Sequence, residues 1–295
     1  MINKEIHMKK ILAIAAMSLC IGANAQNKPE KSINDKTLDS VIDRLEKSGK
    51  LDEAINRVLS NRVQAQKEEQ ARLALEQEKK NQENAKLVAK FNDKDHYRGD
   101  KNARYSMIVY EDMECPFCQM FAEVPEKAIA KLKDVNYVSR ANPLDFHMPM
   151  AAKQAVLAEC IATEVGNDGY FAFTQNIFKN TLKNGKGLPL LSKDYVFKGT
   201  KQEIALFNQQ SETDKPLFVV AKDAGVKNFE QLVTCYRDPN VSMKLQNMLV
   251  ESAKIGITGT PMVILKDNVT NKSAMYPGLV SEEELINRVN QFIAQ

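Results

Sequence analysis

Two cysteines three apart, Cys115 and Cys118, sit where the pattern of the chain changes from strand to helix. Tyr105 to Tyr110 is a β-like run, and Cys118 to Leu132 has helical spacing with an interruption or kink at Pro125. Few folds deliver one cysteine from a strand end to a helix start and the next one turn later. A zinc site needs four ligands, but no second CxxC exists and only His96 and His147 lie beyond the N-terminal leader. Haem attachment needs a histidine after the second cysteine, and residue 119 is Gln. A permanent bond across so small a loop constrains little. A dithiol that opens and closes remains.

The spacing suits that chemistry. Unpaired N–H groups and the dipole at a helix N-terminus favour a thiolate. Cys115 is therefore expected to have a lowered pKa and to attack disulfides. Cys118, further into the helix, is expected to resolve the mixed disulfide and release the substrate. Pro116 fits the first helical turn, where its missing N–H costs no hydrogen bond.

The N-terminus bears on the redox compartment. Residues 1–25 read as a signal peptide: Lys9 and Lys10, an apolar stretch from Ile11 to Gly22, then Ala23-Asn24-Ala25 as a cleavage site, with Met8 an alternative start. Leu19 before Cys20 argues against a lipoprotein. The mature chain would begin at Gln26 and keep Cys115, Cys118, Cys160 and Cys235, an even set that suits an oxidising compartment. Cys160 and Cys235 are read as a permanent disulfide, worth ~4.5 kcal/mol by loop entropy before any strain. The alternative is two buried free thiols. A net charge of +3, near +1 once Lys4, Lys9, Lys10 and Glu5 are removed, gives no reason to expect nucleic acid. No apolar run reaches the ~18 residues of a membrane span.

Residues 26–90 read as a helical arm and linker. Leu38, Val41, Ile42 and Leu45 fall at helical spacing, Ser48-Gly49 is a stop, and Leu51, Ile55, Val58 and Leu59 form a second series. Burying eight such aliphatics is worth roughly 12–24 kcal/mol gross, so this face needs a domain or other copies of itself. Residues 63–90 lack Gly and Pro and place Glu68 with Arg72 and Glu76 with Lys80. They predict a solvated helix of ~40 Å, or else a charged disordered linker. An apolar knob on a charged spacer is an oligomerisation arm, dimeric or trimeric.

Phe91 to Ala103 reads as the boundary to a second region, 91–295. There Val135 to Arg140 is a second strand, and 148–259 is mainly helical, with 183–200 assigned no element. "GTPMVILK" is a strand, Asp267-Asn268 a turn, and Lys272 to Tyr276 a partner strand. Ser281 and Glu284 make a capping box for a final helix. No internal repeat is present.

The pieces "SMIVYEDMECPFC", "NYVSRANPLDFH", "AAKQAVLAEC" and "IGITGTPMVIL", with the final helix, resemble the exported DsbA-like branch of the thioredoxin superfamily. The resemblance implies an α/β thioredoxin fold with an inserted helical domain at about 148–259, preceded by the helical arm. It implies a cis Pro261, with Thr260 and Pro261 offering backbone to substrate as an added strand. It implies attacking and resolving roles for Cys115 and Cys118, and no cofactor or metal. The arm is more loosely similar to the oligomerising segments of ScsC- and DsbC-type isomerases. The implied activity is a periplasmic disulfide isomerase for misfolded or cysteine-containing exported proteins, with a DsbD/ScsB-like membrane reductant. The alternatives are a dithiol oxidase served by a DsbB-like partner, or a chaperone or copper-binding module.

The sequence departs from the family at two points. DsbA has His where Phe117 stands, so a milder pair is expected, and it has Glu where Val109 stands. Glu111, Asp112 and Glu114 are nearby, and Asp112 is the candidate proton acceptor. His147 is read as structural.

Overall fold

The computed structural model describes residues 35–295. The signal peptide reading (1–25) and the polar segment to residue 34 lie outside them. The chain divides into two compact units, one ending at Gln70 and one from Ala71 to Gln295.

In the first unit, α1 (Asp35–Lys47) stops at Ser48-Gly49 and α2 (Lys50–Ala85) begins. Gly49 has φ +67°, a left-handed value that glycine adopts without a Cβ penalty. Of the aliphatic series, Val41, Ile55, Val58 and Leu59 are 47% to 53% exposed in the single chain, as is Val63 just beyond it, while Ile42 is half-buried.

In the second unit α2 ends at Ala85 rather than running to residue 90. Three i→i+3 turns follow, from Lys86 N–H to Glu83 O, Leu87 to Asn84 and Val88 to Ala85. They turn Ala85 and Val88 into a core. The ammonium of Lys266, itself buried, donates to Val88 O at 2.5 Å. The compact unit thus starts upstream of the expected boundary at 90/91.

The five-stranded sheet has the order β1-β3-β2-β4-β5, from β1 (His96–Arg98), β2 (Tyr105–Glu111), β3 (Val135–Ala141), β4 (Met262–Asp267) and β5 (Ser273–Pro277). β2 and β3 are parallel and the other pairs antiparallel. Side chains alternate between the faces. Met107, Val109, Tyr137, Val263 and Leu265 join one core with the surrounding helices. Ile108, Tyr110, Val138, Ile264 and Met275 join a second with Ala85, Val88, Ile255 and Ile257.

The segment 91–103, expected to be an irregular boundary, contains β1. Three residues are too few for a period to register. Its placement rests on partly buried pairs: Arg140 donates to both oxygens of Asp95 (2.8 and 2.9 Å), and His96 Nε2 meets Glu159 Oε1 at 2.8 Å.

The expected helix over 118–132 is two helices, α3 (Pro116–Phe121) and α4 (Val124–Ile129). Pro125 lies in the first turn of α4, and having no N–H it cannot make the bond to the carbonyl of Phe121 that one continuous helix would need. The insertion comprises α5 (Met150–Val165), α6 (Asn167–Asn180), α7 (Lys201–Asn208), α8 (Lys215–Asp223), α9 (Phe229–Arg237) and α10 (Pro239–Lys254). Thr200 and Glu203 close a reciprocal capping box on α7. A Cys160–Cys235 disulfide ties α5 to α9, with Cα atoms 5.8 Å apart. The chain closes with α11 (Glu282–Ala294). There Ser281 Oγ accepts the Glu284 N–H, but the Glu284 carboxylate is taken by Arg288 (2.8 Å), so only half of the expected box forms.

Candidate redox site

β2 ends one residue before Asp112, and Cys115 is the N-cap of α3, with Pro116 at its first position. Cys115 has extended backbone (φ −76°, ψ 122°), and its carbonyl accepts the Gln119 N–H at 3.0 Å. Cys118 lies one turn on, with its Sγ accepting the Asp112 N–H at 3.4 Å. Both thiols are free. Residual exposure is 4% for Cys115 and 1% for Cys118, so the N-cap sulfur is the one nearer solvent. Thr260-Pro261 is cis, and Cys115 Sγ is 3.4 Å from Thr260 O. Cys115, Cys118, Thr260 and Pro261, far apart in sequence, therefore meet.

The two thiols are electrostatically unequal. The pKa of Cys115 is lowered to about 5, chiefly by the hydrogen bond from the Cys118 thiol. Burial opposes this, while the Cys118 and Phe117 N–H groups and the Thr260 side chain add to it. The hydroxyl of Thr260 is buried and has no hydrogen-bond partner among the described residues, which leaves its proton available to the thiolate. Cys118 is pushed well above the ordinary thiol range, first by burial and then by the neighbouring Cys115. One sulfur is thus a nucleophile near neutrality, and the other stays protonated until the first has reacted.

Three acids surround the pair, and all are buried. Glu111 Oε1 accepts from Tyr137 Oη (2.7 Å) and Ser139 Oγ (2.6 Å), and burial raises its pKa. The carboxylate of Asp112 accepts from the N–H groups of Glu114 and Leu144, both at 2.8 Å, and its Oδ2 meets His147 Nδ1 at 2.7 Å. His147, read from the sequence as structural, is therefore bonded to the candidate proton acceptor. Glu114 accepts from Gln154 Nε2 (2.5 Å), Thr181 Oγ1 (2.7 Å) and the Gly187 N–H (3.1 Å).

That last set ties residues 181–187 to the CPFC turn, a contact the sequence did not reveal. The segment is held further by Asn184 N–H to Glu114 O (2.9 Å) and Leu182 N–H to Gly187 O (2.8 Å). Lys183, Asn184, Gly185 and Gly187 all have positive φ. Lysine adopts such a backbone only where its surroundings over-determine it. A Cβ at Gly185 would lie 3.1 Å from His147 O. The run "KNGKG" was the available clue to a tight turn.

A cavity of about 370 Å³ lies elsewhere, among residues that include Tyr110, Arg140, Glu159 and Met248. No group of acids, histidines and cysteines able to hold a metal occurs among the described residues.

A thioredoxin family model, Thioredoxin_4, matches residues 91–281. The chain belongs to the thioredoxin family. Within the superfamily it is DsbA-like, and its class is that of thiol–disulfide oxidoreductases. DsbA2 of Pseudomonas aeruginosa superposes with a TM-score of 0.52 at 25% identity, over 68% of this thioredoxin-family chain and 96% of DsbA2. BcfH of Salmonella enterica Typhimurium superposes with a TM-score of 0.50 over 87% of this chain and 94% of its own. At 16% identity that likeness concerns the fold alone, but its span reaches beyond the stretch matched by the family model. The Na(+)/H(+) antiporter NhaA 3 of Salinispora tropica is 33% identical over 72 residues, 24% of this chain. The chain spans only 11–12% of the length of the curated relatives it matches, so antiport is not transferred to it. Among the described residues no helix is long and apolar enough to cross a membrane.

Proposed function

We propose that this chain is an exported, periplasmic disulfide isomerase that uses the CPFC dithiol and works as a homo-oligomer. The observation that carries the reading is the inequality of the two thiols, with Cys115 titrating at about 5 and Cys118 held protonated. The Cys115 thiolate attacks one sulfur of a wrong disulfide in a misfolded exported protein. A bond forms from Cys115 to that sulfur, the substrate S–S breaks, and the other substrate sulfur leaves as a thiolate. A different substrate cysteine, as its thiolate, then attacks the substrate sulfur bonded to Cys115; a new substrate disulfide forms, the bond to Cys115 breaks and Cys115 leaves as the thiolate, so isomerisation has no net oxidant. When no such attack occurs, Cys118 displaces the substrate, and Asp112, bonded to His147, is the proposed acceptor of its proton. The closed pair then needs a DsbD/ScsB-like reductant. Thr260 and Pro261 bind the substrate segment as an added strand.

The half-exposed Val41, Ile55, Val58, Leu59 and Val63 support self-association of the arm, residues 26–90. An isomerase gains from several thiolates facing one substrate. The tests are solution mass by light scattering and reactivation of scrambled ribonuclease. A truncation should start at Ala71, since starting at Phe91 would strip Ala85 and Val88 from the core. A full chain with monomer mass would reject the oligomer, and activity surviving Cys115→Ala would favour a chaperone or copper-binding module instead.

The low Cys115 pKa also favours a second reading, a dithiol oxidase with a DsbB-like partner. Depressed thiols of this kind span ~7 in thioredoxin to ~3.5 in the strong oxidant DsbA, and about 5 lies between. The reduction potential and the oxidation state of the pair in the cell separate the two readings.

A further inference from the structure

The loop at 181–187 is held by the residue immediately before the attacking cysteine, yet none of its side chains takes part in the exchange described above. Glu114 grips it through three donors on its carboxylate, two of them from the loop, and through the Asn184 N–H on its carbonyl. The opposite side of the loop packs at Gly185 against the backbone of His147 and at Gly187 against Met150. So fixed, the loop carries Lys183, partly exposed, and Lys186, exposed, and neither makes an ion pair among the described residues. Lys179 is exposed at the end of α6, which leads into the loop. Opposing them is Asp145, exposed in the short turn before His147. The Asn184 N–H to Glu114 O bond, with ~3.8 Å between successive Cα atoms, puts the backbone of Lys183 within about 10 Å of that of Cys115.

We propose that the 181–187 loop is a specificity element, which through Lys183 and Lys186 favours polypeptide segments with acidic residues beside their reactive disulfide. Charges at this distance act through solvent, so they speed encounter and hold the acidic flank without contacting the sulfur. Two non-glycine φ values in the left-handed region mark the loop as held in one shape, and a fixed shape keeps the backbone of both lysines at a constant place beside the CPFC turn. This inference rests on the exchange reaction at Cys115.

The test uses the reduced full chain and three peptides, each bearing one cysteine as a 2-pyridyl disulfide, with the cysteine flanked by glutamates, serines or lysines. Release of pyridine-2-thione reports the attack. At low salt the glutamate peptide is expected to react about tenfold faster than the lysine peptide, and the ratio should fall toward one as salt rises. In Lys183→Gln/Lys186→Gln the low-salt ratio should drop to about two- or threefold, while the Cys115 titration midpoint stays at its wild-type value. Lys186→Gln alone, at an exposed position outside the strained pair, should give an intermediate ratio even if the double variant folds poorly. Equal rates for the three peptides in the wild type, or a ratio unchanged by the substitutions, would overturn the proposal. Release from none of the peptides would instead strike at the exchange reaction itself.

Discussion

Removing the Cys118 thiol should raise the pKa of Cys115 by a calculable amount. The ordinary thiol value is ~8.5, and Cys115 is lowered to about 5, with the Cys118 hydrogen bond as the largest cause. A hydrogen bond to a charged group contributes ~1.5–3 kcal/mol, and one pKa unit corresponds to ~1.36 kcal/mol. Cys118→Ala should therefore move the Cys115 midpoint up by ~1–2 units, to between ~6 and ~7. Near pH 6 the thiolate fraction would fall from roughly nine-tenths to about a quarter for a midpoint of ~6.5. Thiolate absorbance against pH measures this, and the rate of iodoacetamide alkylation gives an independent curve. The same shift makes the reduced protein pH-sensitive. The folded thiol loses its proton more readily than the unfolded one. Its stabilising contribution is therefore complete above ~8.5 and is lost as pH falls through about 5. Between pH 5 and pH 7 the linkage gives ~2.3 kcal/mol, and solvent at the rim of Cys115 reduces this to about 1–2 kcal/mol. Urea titrations of the reduced chain should show that rise, and those of the oxidised chain should not. A Cys115 midpoint near 8.5 in the wild type, or one near 5 that Cys118→Ala leaves in place, would refute the reasoning.

Breaking the Cys160–Cys235 bond in a Cys160→Ala/Cys235→Ala variant should lower stability by up to ~4.5 kcal/mol without changing Cys115 alkylation; denaturant midpoints and labelling rates check the two halves. Val88→Ala should cost about 1–3 kcal/mol by urea titration, because Val88 packs against Ile108, Tyr110 and Val138 in the second core. Asp112→Asn should slow release of a bound substrate by Cys118 about tenfold or more at neutral pH, with little effect on the first attack, in single-turnover exchange. Truncation to Ala71 should turn the oligomer into a monomer by light scattering and remove most isomerase activity while exchange with small disulfides persists.

Periodicity and punctuation carried much of the fold. Alternation in 105–110 and 135–140, the Ser48-Gly49 stop and Pro116 each act within a few residues, so their consequences are local. The CPFC pair was readable for the same reason, since a strand end followed by a helix start determines where two cysteines three apart must lie. What stayed hidden depends on groups brought together from afar. Glu114 has no visible function until Gln154, Thr181 and Gly187 converge on it, and Asp112 gains a histidine 35 residues away. β1 is held by Asp95 with Arg140 and His96 with Glu159 rather than by any pattern of its own. The end of α2 misled because a run of helix formers cannot reveal that tight turns bring Ala85 and Val88 into a core, where a lysine on β4 holds the Val88 carbonyl.

The burial of Ala85 and Val88 has a bearing on how this chain can be cut and recombined. The family model starts at residue 91, yet the back of the sheet is finished by side chains that precede it. A catalytic module excised at the family boundary would present a raw apolar surface and invite aggregation. A chimera grafting these thiols onto a foreign stalk must bring the last turns of α2 along, as a plug that travels with the module.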